Sequence, residues 1–461
     1  SFLTLLVSSS LLLSGCEMIS AQEYYPAESS VNSQANVTKN IEIEKTKNEV
    51  TEYPNFEEIN NVTIGDVTVS LPFKAEELGD EFYVDNYVDE KGTVYKKIYC
   101  LFYNQIPIDV CIIRGTECDE MGNLTTTEEA MKLEVLPAVM AAKRYGGRVI
   151  AQVKRVVQTG SLNPKEVTVP GVFIDDIVVC ENPLEEHRQT SSWYFDPSYC
   201  GQARVPQGNI PAASFNERKF IARRGAMELY HGAVVNLGTG IPNDMVGRVC
   251  NEEGVSDDIM ITVESGIYGG VQAGGIDFGI GQNLYAMIGH HEQMDYYNGA
   301  GVDITYMGLG ELGEDGSVNS TKMGIRCTGA GGFIDITQNA KKVVFLGTFT
   351  ASGAKYKFEN GKLEILQEGK IRKMVQRVAQ LSFNGPMARK KGQEVMIVTE
   401  RAVFQLVKDG VELIEIAPGI NLQTQILDKM DFKPIISKNL RMMDERLFIQ
   451  DGPFGLELKE K

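Results

Sequence analysis

The sequence has no Cys-x-x-Cys pair among its eight cysteines, Cys16, Cys100, Cys111, Cys118, Cys180, Cys200, Cys250 and Cys327. None of them is spaced from a histidine as a metal-ligand set would be, so no metal site is expected. The cysteines read as buried free thiols of a reducing compartment, Cys16 excepted. Basic residues are in deficit, with 45 Lys and Arg against 62 Asp and Glu and a formal charge of −17. A chain without a basic stripe is poorly suited to a phosphate backbone, which excludes nucleic acid as a partner. The apolar stretch over residues 2–15 is too short to cross a bilayer as a helix, which takes about 20 residues.

What is present is an ordinary globular composition, 43% hydrophobic and 23% charged over 461 residues. That length allows two or three domains. The 46 glycines gather in short runs, the pattern of backbone loops that approach a ligand closely. Charge is uneven: the first 110 residues hold 18 Asp and Glu against 7 Lys and Arg, which marks a composite chain.

Residues 1–16 read as a signal peptide, with the true start expected upstream because neither an initiator Met nor a basic leader precedes it. The tetrapeptide Leu13-Ser14-Gly15-Cys16 resembles a bacterial lipobox, which implies lipidation at Cys16 and a membrane anchor. Residues 17–60, rich in Ser, Asn, Glu and Lys, read as a disordered tether. Residues 61–107 alternate apolar and polar and are expected to form two or three strands of a small β-rich module. That module resembles uncharacterised lipoprotein modules of Gram-positive bacteria.

From residue 108 the texture becomes α/β. The run Asp109–Gly115 leads to an acidic turn at Asp119–Leu124, then to a helical pattern over 127–145 with a Thr cap, closed by Gly146-Gly147, and to a strand over 149–157. A similar hairpin recurs at Asp303–Gly310 and Glu314–Val318, offset by about 194 residues, which suggests two domains on one plan. In the second, a helix over 215–231 precedes strand 233–237, the loop Gly238-Thr239-Gly240-Ile241-Pro242, a helix over 243–250 and a strand over 259–263 that ends at Glu264. This order is the βα unit of a parallel sheet.

Glu264 therefore falls at the carboxyl end of a buried strand, where open α/β sheets bind ligands. Ser265, Gly266, Gly269 and Gly270 leave little bulk around it, enough room for an acyl group. A carboxylate that is ionised, positioned and dry can act as a nucleophile. Backbone N–H groups in Gly238-Thr239-Gly240 and in Gly329-Ala330-Gly331-Gly332 can meet an oxyanion or a phosphate. Neither loop completes a dinucleotide fingerprint: Asn243 and Ile334 stand where a third glycine belongs, and no clear helix is read directly after Gly331. The triplet His290-His291-Glu292 reads as a surface loop rather than a metal or acid–base cluster, and Trp193 and Tyr194 as packing of a linker over 183–211.

Taken together, the motifs TVESGIYGG, GAVVNLGTGIPNDM, GTFTASG, RGTECDEMGN and TGAGGFIDITQNAKKVVF resemble those of the family I CoA-transferases, and within them the single-chain acetate/propionate group, over about residues 108–455. The resemblance implies two related open-sheet α/β domains. It implies that Glu264 is the nucleophile, that Gly238–Pro242 and Gly329–Phe333 line the acyl and CoA site, and that the enzyme is a homo-oligomer. It further implies a ping-pong exchange of CoA between an acyl-CoA and a short-chain carboxylate through a glutamyl-CoA thioester. Coenzyme A is then substrate and covalent partner, and no permanently bound cofactor is expected. The catalytic domain is expected over 211–455, and 108–210 as a first domain plus linker that lacks its N-terminal half, replaced by the lipoprotein-like segment. An acyl-CoA enzyme is expected in the cytoplasm, whereas the N-terminus points to export. The competing expectation is a lipoprotein, or a chimera joined near residues 103–108, whose transferase portion is an inactive remnant.

Overall fold

The protein, represented by a computed structural model, is described over residues 106–299 and 301–461, together with four short strands upstream. The residues read as a signal peptide, a lipobox at Cys16 and a tether lie outside the described residues. Within residues 61–107 the strands number four rather than two or three, and they form two separate antiparallel pairs, Asn61–Ile64 with Val67–Ser70 and Val84–Val88 with Val94–Ile98. The chain divides into two compact units, residues 1–107 and 108–461.

The larger unit has two lobes. In the first, β1 (Val110–Arg114), β2 (Arg148–Val153) and β3 (Asp176–Val179) form a parallel sheet in the order β3-β2-β1. Helix α1 (Val135–Arg144) covers one face, packing Val139 and Ala142 on Ile113, Val149 and Ala151. The helix is shorter than the pattern over 127–145: residues 127–134 are turns and irregular chain, Glu134 at the cap makes no side-chain bond to the helix N–H groups, and Leu133 takes φ +52°. Three of the six described cysteines are buried, but Cys111 and Cys200 are half-buried and Cys327 is exposed, so burial does not hold for all of them.

The second lobe opens with α2 (Glu217–Ala226), capped by the Asn216 side chain, which accepts N–H bonds from Arg218 and Lys219 at 3.0 Å. It continues through β4 (Val234–Leu237), α3 (Gly247–Glu252), β5 (Met260–Val263), β6 (Ile267–Tyr268), β7 (Ala286–Met287), α4 (His290–Gly299), β8 (Ile304–Gly308), α5 (Phe333–Asn339), β9 (Lys342–Leu346), α6 (Gly385–Lys391), β10 (Glu394–Val398), β11 (Ala402–Val407), β12 (Gly410–Ile416) and β13 (Ile435–Met442). The sheet order is β7-β6-β5-β4-β8-β9-β10-β11-β12-β13. Five central strands, β5-β4-β8-β9-β10, are parallel. Strand order reverses between β4 and β8, and ligands of such sheets bind beyond the carboxyl ends at that point.

Helices cover both faces because neighbouring residues of β8 point opposite ways. The Tyr306 hydroxyl donates to the Gly225 carbonyl of α2 at 3.0 Å, while Thr305 joins a polar row on the α4 side. The repeat seen in the sequence is a structural one. In both lobes a parallel strand leads into a short antiparallel hairpin, Glu117–Asp119 with Leu124–Thr125 and Glu311–Gly313 with Val318–Asn319.

A buried ion cluster ties the end of α2 to the sheet and to the tail. Arg224 binds Glu415 at 2.6 Å and Glu228 at 2.7 Å, and Glu228 also meets Lys342 and Lys459, each at 2.7 Å. Burial pushes the Glu228 carboxyl up, but Arg224 and Lys342 outweigh it and hold it at about 2. A carboxyl depressed in the folded state stabilises fully above its ordinary range and loses that contribution as pH falls toward 2. Acid unfolding of Glu228→Gln, followed by circular dichroism, is therefore expected to be shallower between pH 4.5 and 2 than that of the parent. Glu415→Ala, which leaves Arg224 buried without its main partner, is expected to lower stability by about 3–5 kcal/mol in urea titrations.

Candidate active site

Strand β5 carries Glu264 to the carboxyl edge of the sheet and stops there. Gly266 turns the chain with φ +97°, its N–H bonded to the Val263 carbonyl at 2.9 Å. A Cβ at Gly266 would run into the Ile288 carbonyl oxygen, so only glycine closes this turn. Ser265 is buried, and its hydroxyl donates to the Gly279 carbonyl.

The Glu264 carboxylate rests against the Gly332 backbone of the loop Gly329–Gly332, whose N–H pulls its pKa down. A Cβ at Gly332 would overlap Glu264 Oε2, with Ile336 Cδ1 at 3.1 Å and Met294 Cε at 3.3 Å from the same point. Glycine at 332 is thus what lets the carboxylate reach the backbone, between two apolar side chains. Burial is the main influence on this carboxyl and pushes it above its ordinary value; His290 and the Gly332 N–H oppose that rise.

His290 opens α4 rather than lying in a loop, and α5 begins at Phe333, directly after the glycines. Both features differ from the sequence reading. His290 is also where the first lobe enters the site. Its N–H donates to the Leu133 carbonyl at 3.1 Å and its Nδ1 lies 2.9 Å from Glu134 Oε2. Leu133 holds a left-handed conformation, uncommon for a branched apolar residue and characteristic of a tightly determined functional segment. Met131 Sδ comes within 3.2 Å of the point a Cβ on Gly279 would occupy, beside Ser265. Leu133, Glu134, His290 and Met294 were not among the expected site residues.

Beneath the carboxylate lies a row of buried polar side chains. Asn236, Thr262 and Thr305 stand in register on β4, β5 and β8. Thr305 Oγ1 donates to Asn236 Oδ1 at 2.8 Å, Asn236 Nδ2 donates to the Tyr297 hydroxyl at 3.0 Å, and Thr262 Oγ1 lies 2.8 Å from the same hydroxyl. This satisfied network anchors α4 to the central strands next to the end of β5.

The remaining expected residues have other surroundings. The Gly238 N–H donates to the Tyr306 carbonyl at 2.8 Å and a Cβ there would press on Met307, so its N–H is spent within the fold. Thr239 is exposed at the β4–β8 reversal, and Gly240 takes φ +90°. The space over Gly269 and Gly270 is filled by Tyr285 and Gln282, which corrects the reading of these two as open room for an acyl chain. Gly329, Ala330 and Gly331 form the half-open rim in front of Gly332. Among the described residues no group of His, Cys, Asp and Glu is arranged to hold a metal ion, and no helix is long and apolar enough to cross a membrane.

A family model described as coenzyme A transferase matches residues 99–180. Acetate CoA-transferase YdiF of Escherichia coli K12 is 41% identical over 360 residues, 78% of this chain and 67% of that protein. The chain belongs to the coenzyme A transferase family. Caffeate CoA-transferase of Acetobacterium woodii is 43% identical over 76% of this chain and 67% of its own length. The fold matches a crystal structure of the acyl-CoA transferase YdiF from E. coli O157:H7 in a thioester complex with CoA, with a TM-score of 0.70 and 38% identity, over 82% of this chain and 69% of that one. This CoA-transferase moves CoA between an acyl-CoA and a carboxylic acid, with CoA as substrate and as covalent thioester.

Two outcomes follow from the geometry around Glu264. An ionised carboxylate whose folded pKa is raised opposes folding at neutral pH. Glu264→Gln is therefore expected to raise the melting temperature at pH 7, with the gain vanishing at pH 4 and below, as scanning calorimetry will show. Gly332→Ala is expected to fold normally by circular dichroism while transferase turnover falls by about 10²–10³, because the added methyl displaces the carboxylate from the backbone N–H at a site of developing charge.

Proposed function

We propose that Glu264 is the nucleophile of the transfer and that short-chain acids such as acetate, propionate and butyrate are its substrates. The observation that supports this reading is a half-buried carboxylate at the end of β5, set against the Gly332 backbone and pushed up in pKa by desolvation. A partly desolvated carboxylate at the mouth of a glycine loop is poised to attack a thioester carbonyl.

In the first step a Glu264 oxygen bonds to the acyl carbonyl carbon, the carbon–sulfur bond breaks and CoA leaves as thiolate. The product is a mixed anhydride. The thiolate then attacks the glutamyl carbonyl carbon, the acid departs as carboxylate and the glutamyl-CoA thioester remains. An incoming carboxylate attacks that thioester, again releasing thiolate and forming an anhydride. Thiolate attack on the incoming acyl carbonyl yields the new acyl-CoA and restores Glu264. No net proton is moved. The Gly332 N–H faces the glutamyl oxygen on which charge gathers, and the half-open rim Gly329–Gly331 takes the approaching thioester. CoA contacts remote from the reacting carbon hold the partners in line. Chain length among small acids is set by contacts worth only about 1–3 kcal/mol per methylene.

The catalytic lobe spans about 211–455, and residues 126–134 of the first lobe complete its wall. An acyl-CoA enzyme of this kind works in the cytoplasm. A second reading, lipidation at Cys16, is supported by Leu13-Ser14-Gly15-Cys16 alone; labelled palmitate retained in a Cys16→Ser variant would exclude it.

The nucleophile assignment is tested by incubating the chain with acetyl-CoA and mapping peptides by mass spectrometry. The peptide bearing Glu264 is expected to gain CoA, to be reduced by borohydride and to lose both signals in Glu264→Ala. A CoA adduct at another residue, or full turnover in Glu264→Ala, would show the nucleophile lies elsewhere.

A further inference from the structure

An acyl group joined to Glu264 has an alkyl tail that must leave the carboxylate along some surface. The space over Gly269 and Gly270 does not serve, because Tyr285 and Gln282 fill it. What borders the carboxylate instead is a slot between α4 and α5. Glu264 Oε2, Ile336 Cδ1 and Met294 Cε all adjoin the one point that a Cβ on Gly332 would occupy, the two carbons at 3.1 and 3.3 Å from it. Glycine at 332 keeps that point clear of any side chain of its own.

The two apolar walls of the slot differ in how they are held. Ile336 on α5 is 1% exposed and belongs to the core, so it forms a fixed floor. Met294 on α4 is half-buried and packs against the edge of that core. An unbranched thioether with three rotatable bonds fills irregular space and adapts to what shares it. Other neighbours of the carboxylate are polar. His290, one turn before Met294 on the same face of α4, acts on Glu264 through its charge, and the Ser265 hydroxyl is bonded to the Gly279 carbonyl. An alkyl chain laid over a charge strips it of water, which is unfavourable, whereas along Met294 it removes apolar surface from water. The helix itself is held by Tyr297, whose hydroxyl is bonded to Asn236 and Thr262. A change at position 294 therefore alters the wall without releasing the helix.

We infer that Met294 is the residue that limits acyl chain length: the alkyl tail of the acid joined to Glu264 runs between Ile336 and Met294, and the reach of the thioether sets how many methylenes fit. The inference rests on Glu264 being the nucleophile. Alanine at 294 removes Cγ, Sδ and Cε from the wall and gives their room to the substrate. Met131 of the first lobe, whose Sδ lies beside Ser265, is the rival wall and serves as the comparison.

The test follows the rate at which the peptide bearing Glu264 gains CoA in the full chain, measured separately with propionyl-CoA and hexanoyl-CoA. Met294→Ala is expected to raise the hexanoyl-to-propionyl ratio by about tenfold or more. Met294→Phe is expected to lower the ratio, and Met294→Leu, close to methionine in volume, to keep it near the parent value. Melting curves check that each variant folds; should Met294→Ala unfold, Met294→Val asks the same question with more of the wall kept. An unchanged ratio in the shortened variant, including an equal loss of rate with both thioesters, would mean a structural role alone and would overturn the inference. So would a shift that appears in Met131→Ala in its place. In those cases the adduct on Glu264 still forms and the nucleophile assignment stands. Absence of the adduct with both thioesters in the parent chain would sink that assignment and this inference together.

Discussion

The contact between the Gly332 N–H and the Glu264 carboxylate is the constraint on which the site depends. It requires a strand that ends on an acid, a glycine facing it with no Cβ, and a half-buried setting in which a single donor counts. Each requirement is met by a different part of the lobe: β5 supplies the acid, the glycine run before α5 supplies the donor, and α4 closes the side with His290 and Met294. Burial works against ionisation while the N–H and His290 work for it. The ionised carboxylate is therefore held in a state that costs stability.

Assembly of the site from two lobes explains why the first lobe matters even though the acid sits on the second. Residues 126–134 do not enter the regular sheet, yet Leu133 and Glu134 fix the start of α4. That helix start in turn sets the distance of His290 from Glu264. The polar row of Asn236, Thr262 and Thr305 fixes the other end of the same helix through Tyr297. Helix α4 is thus clamped at both ends by bonds that reach across the sheet and across the lobes, and its start carries the His290 charge that acts on the carboxylate.

Much of this was legible in the sequence, for a physical reason. Apolar runs such as 259–263 and 233–237 announce buried parallel strands, and the residue that breaks such a run falls at its end; Glu264 and Gly238 were found that way. The two-lobe repeat was visible because both copies keep an acid before the strand and a turn after it. His290 was missed because the sign of its role is a bond to Glu134, far away in the chain, which no local period records. Helix α5 was missed because it is seven residues long and follows directly on a run of glycines. Gly269 and Gly270 were misassigned because small size reads the same whether it makes room for a ligand or for a Tyr285 ring.

The tail of the second lobe is sewn back onto its beginning. The Glu253 carboxylate accepts N–H bonds from Phe454, Gly455 and Leu456, the Lys459 N–H donates to the Leu229 carbonyl, and the His231 N–H donates to the Lys459 carbonyl. Segments made some two hundred residues apart thereby share one seam. During synthesis at about 5–20 residues per second, the lobe that opens with α2 waits many seconds for the strand of chain that closes it. The seam that joins the start of the lobe to its end is closed only once residues 454–459 have left the ribosome.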